Sequence, residues 1–226
     1  MEFKPIAHIR SIFGDKFGIP RQSGICPSAT GVIEFENNRF NEDALTDIEG
    51  YSHLWVIFYF HSLKKSPDKA KIRPPRLGGN KFVGVFSSRS PYRPNRIGLS
   101  LVEVSQIEKT PEFINIHILN HDLLDGTPVL DIKPFISHDT PESSPEYGWQ
   151  SSQWEQLEVE FAPELSGYLE QKPELHRILT DVLKNDPRPS YKSKVENEQF
   201  YGMNINGLEV NFKIDGNSCR VIKISG

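Results

Sequence analysis

Hydrophobic residues in the first half of the chain alternate with polar ones or gather in short blocks rich in β-branched and aromatic side chains. Blocks of this kind, bounded by turn residues, are typical of β-strands. They occupy residues 3–12, 31–35, 82–86, 99–107, 113–119 and 129–132. The block at 53–60 is apolar without alternation, which predicts a strand covered on both faces. The pattern therefore predicts a mainly β domain whose sheet closes, or nearly closes, into a barrel.

The pattern changes at residues 138–152, where Pro, Gly, Ser and Thr accumulate as they do in linkers. Beyond this segment, four apolar positions mark one face of a helix that has Pro173 in its first turn: Leu175, Ile178, Leu179 and Val182. Three later blocks predict short strands, at 199–205, 208–214 and 220–224. We therefore expect a β-barrel domain at residues 1–150 and a small α+β domain at residues 153–226.

The composition of the 226 residues is that of a folded globular protein, with 37% hydrophobic residues and a net charge of −4. The longest apolar run, 54–60, is far shorter than the roughly 20 residues that span a bilayer, and residues 1–10 lack a signal-peptide pattern. Cys26 and Cys219 are too few for a disulfide scaffold and too far apart for a CxxC motif. We therefore expect a cytoplasmic protein with no membrane partner.

The charge is distributed unevenly along the chain. Residues 64–96 contain ten Lys or Arg and one acid, a local charge of +9, so the rest of the chain carries −13. A basic stretch rich in Arg, Gly and Pro suits a polyanion such as RNA, because guanidinium groups fork onto phosphate. The alternative is a solvated basic loop. Our candidates for phosphate contacts are Arg73, Arg76, Arg93 and Arg96.

Several common chemistries lack their motifs in this sequence, which has no GxGxxG, GxxxxGK[ST], GxSxG or HExxH pattern. His117 and His121 are four residues apart, but the isoleucines around His117 predict a strand, in which four residues span about 13 Å. We therefore expect both to be structural histidines. A hydrolase with Ser100 or Cys26 as nucleophile is disfavoured because neither residue has an adjacent base motif.

Two segments carry less common combinations of residues. In 87–98, Pro91 and Pro94 impose an extended backbone, which leaves carbonyl groups and arginines available to a ligand. A rigid surface loop between two strands is the alternative. In 122–134, three aspartates fall within ten residues around a turn at Asp125-Gly126. Carboxylates in such loops cap turns, bind ribose hydroxyls or act as a base.

These two segments resemble the TsaA-like tRNA methyltransferase family. The resemblance rests on the runs Phe86-Ser-Ser-Arg-Ser-Pro-Tyr-Arg-Pro-Asn95, Ile97-Gly-Leu-Ser100 and Asp125-Gly-Thr-Pro-Val-Leu-Asp-Ile-Lys-Pro134. Other matching runs are Pro20-Arg-Gln22, Ser52-His-Leu-Trp55, Arg73-Pro-Pro-Arg-Leu-Gly-Gly79 and Asp186-Pro-Arg-Pro-Ser-Tyr191. One departure is Arg96, which stands where the family usually has proline and adds a charge beside the loop.

The resemblance implies an enzyme that transfers a methyl group from S-adenosylmethionine to the N6 nitrogen of threonylcarbamoyladenosine in a tRNA anticodon loop. It also implies a β-barrel catalytic domain and a homodimer, and the scheme requires no metal. The implied cofactor contacts are Pro20, Arg21, Gln22, His61, Ser62, Arg89, Leu99, Asp122, Leu123, Leu124 and Asp125. Asp125 or Asp122 is the candidate catalytic base, with a substrate group or water as the alternative.

The second domain is expected to assist substrate recognition without housing the methyl-transfer site. Arg188 is its candidate RNA contact, and Tyr191 could stack on a splayed base. The alternative is that Pro187 and Pro189 only end the helix and Tyr191 packs against it. The alternative function is a non-catalytic RNA-binding module, which cofactor binding would distinguish from an enzyme.

Overall fold

The computed structural model describes residues 2–63, 70–74, 77, 81–150, 156–188 and 198–226. Its first eight strands are β1 (Ala7–Ser11), β2 (Thr30–Glu36), β3 (His53–Tyr59), β4 (Lys71–Ile72), β5 (Val83–Gly84), β6 (Ile97–Lys109), β7 (Phe113–Leu119) and β8 (Pro128–Pro134), and helix α1 (Arg39–Ala44) follows β2. Six of these strands close into an antiparallel barrel in the order β1-β2-β7-β6-β3-β8. The short strands β4 and β5 form a separate antiparallel pair. The predicted barrel is therefore confirmed.

Alternation along the barrel strands explains how the barrel fills its own interior. In β3, Leu54, Val56 and Phe58 are buried, while the residues between them are half-buried. The prediction that this strand is covered on both faces is therefore wrong. The outer face of β3 is only partly covered. Part of that cover comes from Phe135, which packs against Trp55 with 6.2 Å between ring centroids.

The second half of the chain forms a four-stranded sheet backed by helices. Its elements are β9 (Glu158–Phe161), α2 (Ser166–Glu170), α3 (Pro173–Lys184), β10 (Gln199–Ile205), β11 (Leu208–Asp215) and β12 (Ser218–Ser225). The sheet order is β10-β11-β12-β9, with β9 parallel to β12 and the other pairs antiparallel. The apolar face predicted for the helix is the buried face of α3, so this α+β arrangement is also confirmed.

Four elements were not expected from the sequence: α1, α2, β4 and β9. Strand β9 alternates exposed Glu158 and Glu160 with half-buried Val159 and Phe161. It has only four residues and two of them are acidic, so its sequence gives a weak strand signal. Two expected strands are also shorter than predicted. Within 3–12 only Ala7–Ser11 pairs, and within 82–86 the ladder ends at Gly84 because the backbone then enters a 3₁₀ turn.

The segment at residues 12–29 leaves the barrel and packs into the second core. Ile12, Phe13, Cys26 and Ala29 are buried together with the apolar residues of α3 and β10–β12. Phe13 also forms an isolated antiparallel bridge with Ile205. The two sheets are therefore joined by a stretch of chain that connects two barrel strands. Within the described part of the chain, no helix is long and apolar enough to span a membrane.

Candidate active site

A cavity of about 1150 Å³ lies where one end of the barrel meets the segment 12–29 and the end of α3. Its size slightly exceeds the roughly 300–1,000 Å³ of small-molecule and cofactor sites. It brings together nine of the predicted cofactor contacts: Pro20, Arg21, Gln22, His61, Ser62, Arg89, Leu99, Asp122 and Leu124. Residues up to about 100 positions apart in sequence thus line the same cavity. A shared cavity is what the resemblance implied for the cofactor contacts.

Asp122 is the buried carboxylate of this cavity. It follows β7, and its Oδ1 accepts a hydrogen bond from the hydroxyl of Ser100, an inward-facing residue of β6. Burial raises the pKa of Asp122 above its ordinary value, whereas the Ser100 hydrogen bond and the positive charge of Arg89 act in the opposite direction. A carboxylate in this setting is held in one orientation and binds a proton more readily than an exposed one.

The neighbours of Asp122 fix the turn that presents it. Leu123 is buried in the barrel core, and its backbone N–H donates to Nδ1 of His121 over 3.1 Å. Asp125 accepts a hydrogen bond from the Ser11 backbone N–H through Oδ1 at 2.9 Å. Neither Leu123 nor Asp125 lines the cavity. These two candidates therefore support the turn, whereas Asp122 and Leu124 face the cavity.

Both histidines set aside as structural lie outside the cavity. Burial lowers the pKa of His121 to about 4, which keeps its ring neutral at physiological pH. The His121 ring also packs edge-on against Phe13, with 5.5 Å between ring centroids. His117 lies 3.3 Å from the Glu108 carboxylate on the barrel surface. The interpretation of both as structural residues agrees with these positions.

Two arginines connect the segment 12–29 to the other cavity walls. Arg89 donates from Nη1 to Oε1 of Gln22 over 2.6 Å. Arg21 donates from Nη2 to the backbone carbonyls of Asp186 and Arg188, over 3.2 and 2.5 Å. The first link ties this segment to the proline-rich loop, and the second ties it to the chain that follows α3. These hydrogen bonds thus tie together three of the separate parts of the sequence that line the cavity.

His61 and Ser62 form the edge of the cavity just after β3. Burial lowers the pKa of His61, and the nearby positive charge of Lys16 and the ring of His8 lower it further. Lys16 also donates from Nζ to the Ser62 carbonyl over 2.8 Å. His61 is therefore a neutral imidazole at physiological pH, able both to donate and to accept a hydrogen bond.

The RNA-binding candidates differ in their positions. Arg73 and Arg93 line the cavity, and Arg93 donates to the Ser88 carbonyl over 3.1 Å. Arg96 does not line it; its guanidinium donates to the Leu63 carbonyl over 2.9 Å. Arg188 is only 4% exposed. Arg76 and Tyr191 lie outside the described residues.

The Arg188 guanidinium is bound within the chain by a carboxylate two residues earlier. Its Nε and Nη2 donate to Oδ1 and Oδ2 of Asp186 over 2.8 and 2.9 Å. A bidentate pair of this kind uses the edge of the guanidinium that would otherwise bind phosphate. In this arrangement Arg188 shapes the cavity wall and does not offer that edge to RNA.

Sequence reasoning missed several cavity residues. Val182 and Asn185 come from the end of α3, so the second domain contributes residues to the cavity lining. Trp149, in the predicted linker, donates from its indole N–H to the Ser87 carbonyl over 2.8 Å. No short motif marks these residues, because their positions depend on how the two sheets pack together.

The proposed hydrolase nucleophiles are both unsuited to that role. Cys26 is buried in the second core, and burial raises the pKa of its thiol to about 11. The Ser100 hydroxyl donates to the Asp122 carboxylate, and no histidine is hydrogen-bonded to it among the described residues. The described part of the site therefore lacks the Ser–His or Cys–His pair that activates the nucleophile of the common hydrolases.

Most charged residues in the described lining of the cavity are basic. Among the described residues that line the cavity, seven are Lys or Arg and two are Asp. Both aspartates already accept hydrogen bonds from the chain, Asp122 from Ser100 and Asp186 from Arg188. The cavity can therefore bind an anionic ligand and hold one buried proton acceptor.

Comparison with known proteins identifies relatives along the whole chain. Residues 8–139 match the tRNA-methyltransferase O N-terminal domain, and residues 154–226 match the TrmO C-terminal domain. The chain is 36% identical over 219 residues to the tRNA (adenine(37)-N6)-methyltransferase of Escherichia coli K12, covering 94% of this chain and 93% of that protein. It is 35% identical over 213 residues to a putative S-adenosylmethionine-dependent methyltransferase, RcsF, of Pseudomonas aeruginosa PAO1, covering 92% and 90%.

A solved structure has the same architecture. The crystal structure of TrmO from Pseudomonas aeruginosa superposes with a TM-score of 0.79 at 28% identity, covering 100% of this chain and 98% of that chain. The two matched domains account for both sheets of the fold. The chain therefore belongs to the tRNA-methyltransferase O family, in agreement with the resemblance carried by its motifs.

Proposed function

We propose that this protein is an S-adenosylmethionine-dependent tRNA methyltransferase that acts on the N6 nitrogen of adenine 37. The names of its relatives support the reaction and the cofactor. The observation that carries the proposal is the buried Asp122 carboxylate, hydrogen-bonded to Ser100 inside a cavity lined mainly by basic residues. The substrate we favour is adenine 37 in its threonylcarbamoyl form, as the motif resemblance implied.

The side chains of the cavity fit this cofactor. Its amino-acid end carries a carboxylate, for which Arg89 offers a guanidinium positioned by Gln22. Its adenine needs apolar surface, which Leu99 supplies because 52% of the residue is exposed, an uncommon position for leucine. Pro20 and Leu124 add apolar surface around the same space. When bound, the cofactor supplies a methyl group attached to a positively charged sulfur.

The chain contributes positioning and proton transfer. Methyl transfer needs the accepting nitrogen in line with the sulfur–methyl bond, so walls that orient the base supply much of the acceleration. The nitrogen must also lose its proton, and Asp122 is the carboxylate in the cavity that can accept it. Asp125 is a poorer candidate because its carboxylate accepts the Ser11 N–H outside the cavity. The proposal therefore assigns the general base to Asp122.

The basic lining also fits a tRNA substrate. Seven Lys or Arg against two hydrogen-bonded Asp in the described lining give the cavity a positive field, which attracts a polyanion and orients its approach. The homodimer and the cytoplasmic location remain predictions. Sedimentation velocity of the purified protein tests the dimer directly.

The decisive experiment is a methylation assay with isotopically labelled S-adenosylmethionine. The substrate is tRNA that carries threonylcarbamoyladenosine, and the control is the same tRNA without that modification. We expect the nucleoside at position 37 to gain one labelled methyl group, identified by mass spectrometry of the digested tRNA. Cofactor binding without methyl transfer to either tRNA would contradict the proposal, and tRNA binding without cofactor binding would favour the non-catalytic RNA-binding module.

A further inference from the structure

We propose that Phe82, held from one side by Arg73, is a stacking platform for an unpaired base of the anticodon loop at the mouth of the cavity. This inference rests on the proposed function and adds a substrate-binding residue to it. Phe82 and Arg73 both line the cavity, and neither belongs to the predicted cofactor contacts. The platform consists of these two residues.

The position of the platform follows from the pairing of β4 with β5. Lys71 pairs with Gly84, and Ile72 pairs with Val83. The next position of this antiparallel register places Arg73 opposite Phe82. The guanidinium carbon of Arg73 accordingly lies 4.4 Å from the centroid of the Phe82 ring. The two side chains form a cation–π pair whose geometry is fixed by the ladder.

The Phe82 ring remains accessible to a ligand despite its contact with Arg73. Phe82 is 56% exposed although one face of its ring meets Arg73. A guanidinium that stacks through its plane keeps its N–H groups directed along that plane, where they can bind phosphate. An exposed aromatic face beside an arginine is the combination that binds single-stranded RNA, because the base stacks and the backbone is neutralised.

The positive charge around the platform favours a nucleotide over an apolar protein segment as its ligand. Lys71, Arg89 and Arg93 line the same cavity, and the two aspartates of the described lining accept hydrogen bonds from Ser100 and Arg188. An apolar protein segment would gain nothing from these cations, whereas a nucleotide uses both the aromatic face and the positive field. We therefore assign the platform to RNA rather than to a second protein chain.

The adenine of the cofactor is the other planar group that enters this cavity. Leu99 and Leu124 also line the cavity and offer it apolar surface, Leu99 from β6 beside Ser100 and Leu124 from the turn that contains Asp122. Phe82 belongs instead to the β4–β5 pair, which is separate from the barrel sheet. Cofactor affinity therefore distinguishes the two occupants of the ring.

The test compares Phe82→Leu with Phe82→Trp. Leucine keeps the apolar bulk and removes the aromatic face, whereas tryptophan keeps the face. The matched control is Phe40→Leu, since Phe40 is 76% exposed and lies outside the cavity lining. Binding of the modified tRNA is measured by fluorescence anisotropy over a range of salt concentrations, S-adenosylmethionine binding by calorimetry, and oligomeric state by sedimentation.

We expect Phe82→Leu to weaken tRNA binding by roughly tenfold to a hundredfold, because stacking contributes that much per base. The slope of log affinity against log salt should stay unchanged, because no charge is removed. Phe82→Trp should bind tRNA like the parent protein, and so should Phe40→Leu. Cofactor affinity should be the same in all four proteins.

Three results would overturn the platform. They are unchanged tRNA affinity in Phe82→Leu, weakened cofactor binding in Phe82→Leu, and a change of oligomeric state that accounts for the loss. The second would assign the ring to the cofactor adenine and the third to a subunit contact. Each of these results leaves the parent enzyme active on tRNA, whereas failure of the proposed function would appear as absence of methyl transfer by the parent protein itself.

Discussion

The Ser100 hydroxyl on β6 donates a hydrogen bond to Oδ1 of Asp122, which lies beyond the end of β7. The barrel sheet brings the two residues together, and both line the cavity. Backbone hydrogen bonds, including one from Ser23, also act on the Asp122 carboxylate, so several donors fix its orientation. This pair is therefore the chemical centre of the proposed site.

Replacing Asp122 with asparagine should abolish proton transfer while preserving the shape of the site. We expect Asp122→Asn to reduce kcat by about 10²- to 10⁴-fold, the usual contribution of a general base. Cofactor affinity should change little, because Arg89 and the apolar walls remain. Single-turnover methylation and calorimetry measure the two quantities. An unchanged kcat would assign proton removal to water or to the substrate.

The pH dependence of the parent enzyme offers a second measure of Asp122. A base must be ionised, so activity should rise with pH through a pKa that burial has raised above the ordinary carboxyl value. Ser100→Ala removes a hydrogen bond that favours the ionised form, and the acidic limb of the profile should therefore move to higher pH. A purely structural Ser100 would lower stability without moving that limb.

The same raised pKa predicts an effect on stability. A carboxyl group whose pKa is higher in the folded state than in the unfolded state stabilises the fold at low pH. That stability is lost as the pH rises from the unfolded pKa through the folded pKa. Asp122→Asn removes the ionisation, so its melting temperature should match or exceed that of the parent at neutral pH. Thermal unfolding at pH values on both sides of the transition checks the sign.

Arg89 should affect the cofactor more than the RNA. We expect Arg89→Ala to weaken S-adenosylmethionine binding by about tenfold or more, because it removes a charged hydrogen-bond donor and leaves Gln22 without its partner. Arg39→Ala is the matched control, since Arg39 is exposed and pairs with Asp43 on α1. Normal cofactor affinity combined with lost tRNA binding would move Arg89 to the RNA surface.

Gly98 is required by a close approach to Phe58. A Cβ atom on Gly98 would lie 2.2 Å from Cζ of Phe58, its partner across β3 and β6. Gly98→Ala should therefore displace the Phe58 ring, which lines the cavity, destabilise the fold by about 1–3 kcal/mol and weaken cofactor binding. Gly50→Ala is the control, because a Cβ there meets no atom within 4 Å among the described residues. Equal melting temperatures for the two variants would contradict this account.

Salt dependence should separate the exposed arginines from the internally bonded ones. Each phosphate contact adds about 0.7–0.9 to the slope of log affinity against log salt. Arg73→Gln should reduce the slope by that amount. Arg96→Gln should leave the slope unchanged and lower the melting temperature, because Arg96 braces its loop through the Leu63 carbonyl. A reduced slope in Arg96→Gln would show that this side chain also contacts RNA.

Much of the fold could be predicted from the sequence, because alternation and helical spacing are local signals. The turn around Asp122 was found from its aspartates and the Pro91–Pro94 loop from its prolines. The roles of Arg96 and Arg188 could not be predicted in this way. Their guanidinium groups have the composition of an RNA surface, but each is bonded within the chain. Arg96 donates to the Leu63 carbonyl, which only the fold brings near, and Arg188 donates to Asp186, a near neighbour in sequence whose backbone has φ 46°.

The contacts of residues 12–29 mean that the active site cannot be completed until the second domain has been synthesised. This segment is made early, but Phe13 forms its bridge with Ile205, and Arg21 binds the carbonyls of Asp186 and Arg188, all of which are made late. A nascent chain that has completed every barrel strand still lacks these partners. Premature termination near residue 150 should therefore yield an inactive fragment with exposed apolar surface, and the site can be completed only after residue 205 has been made.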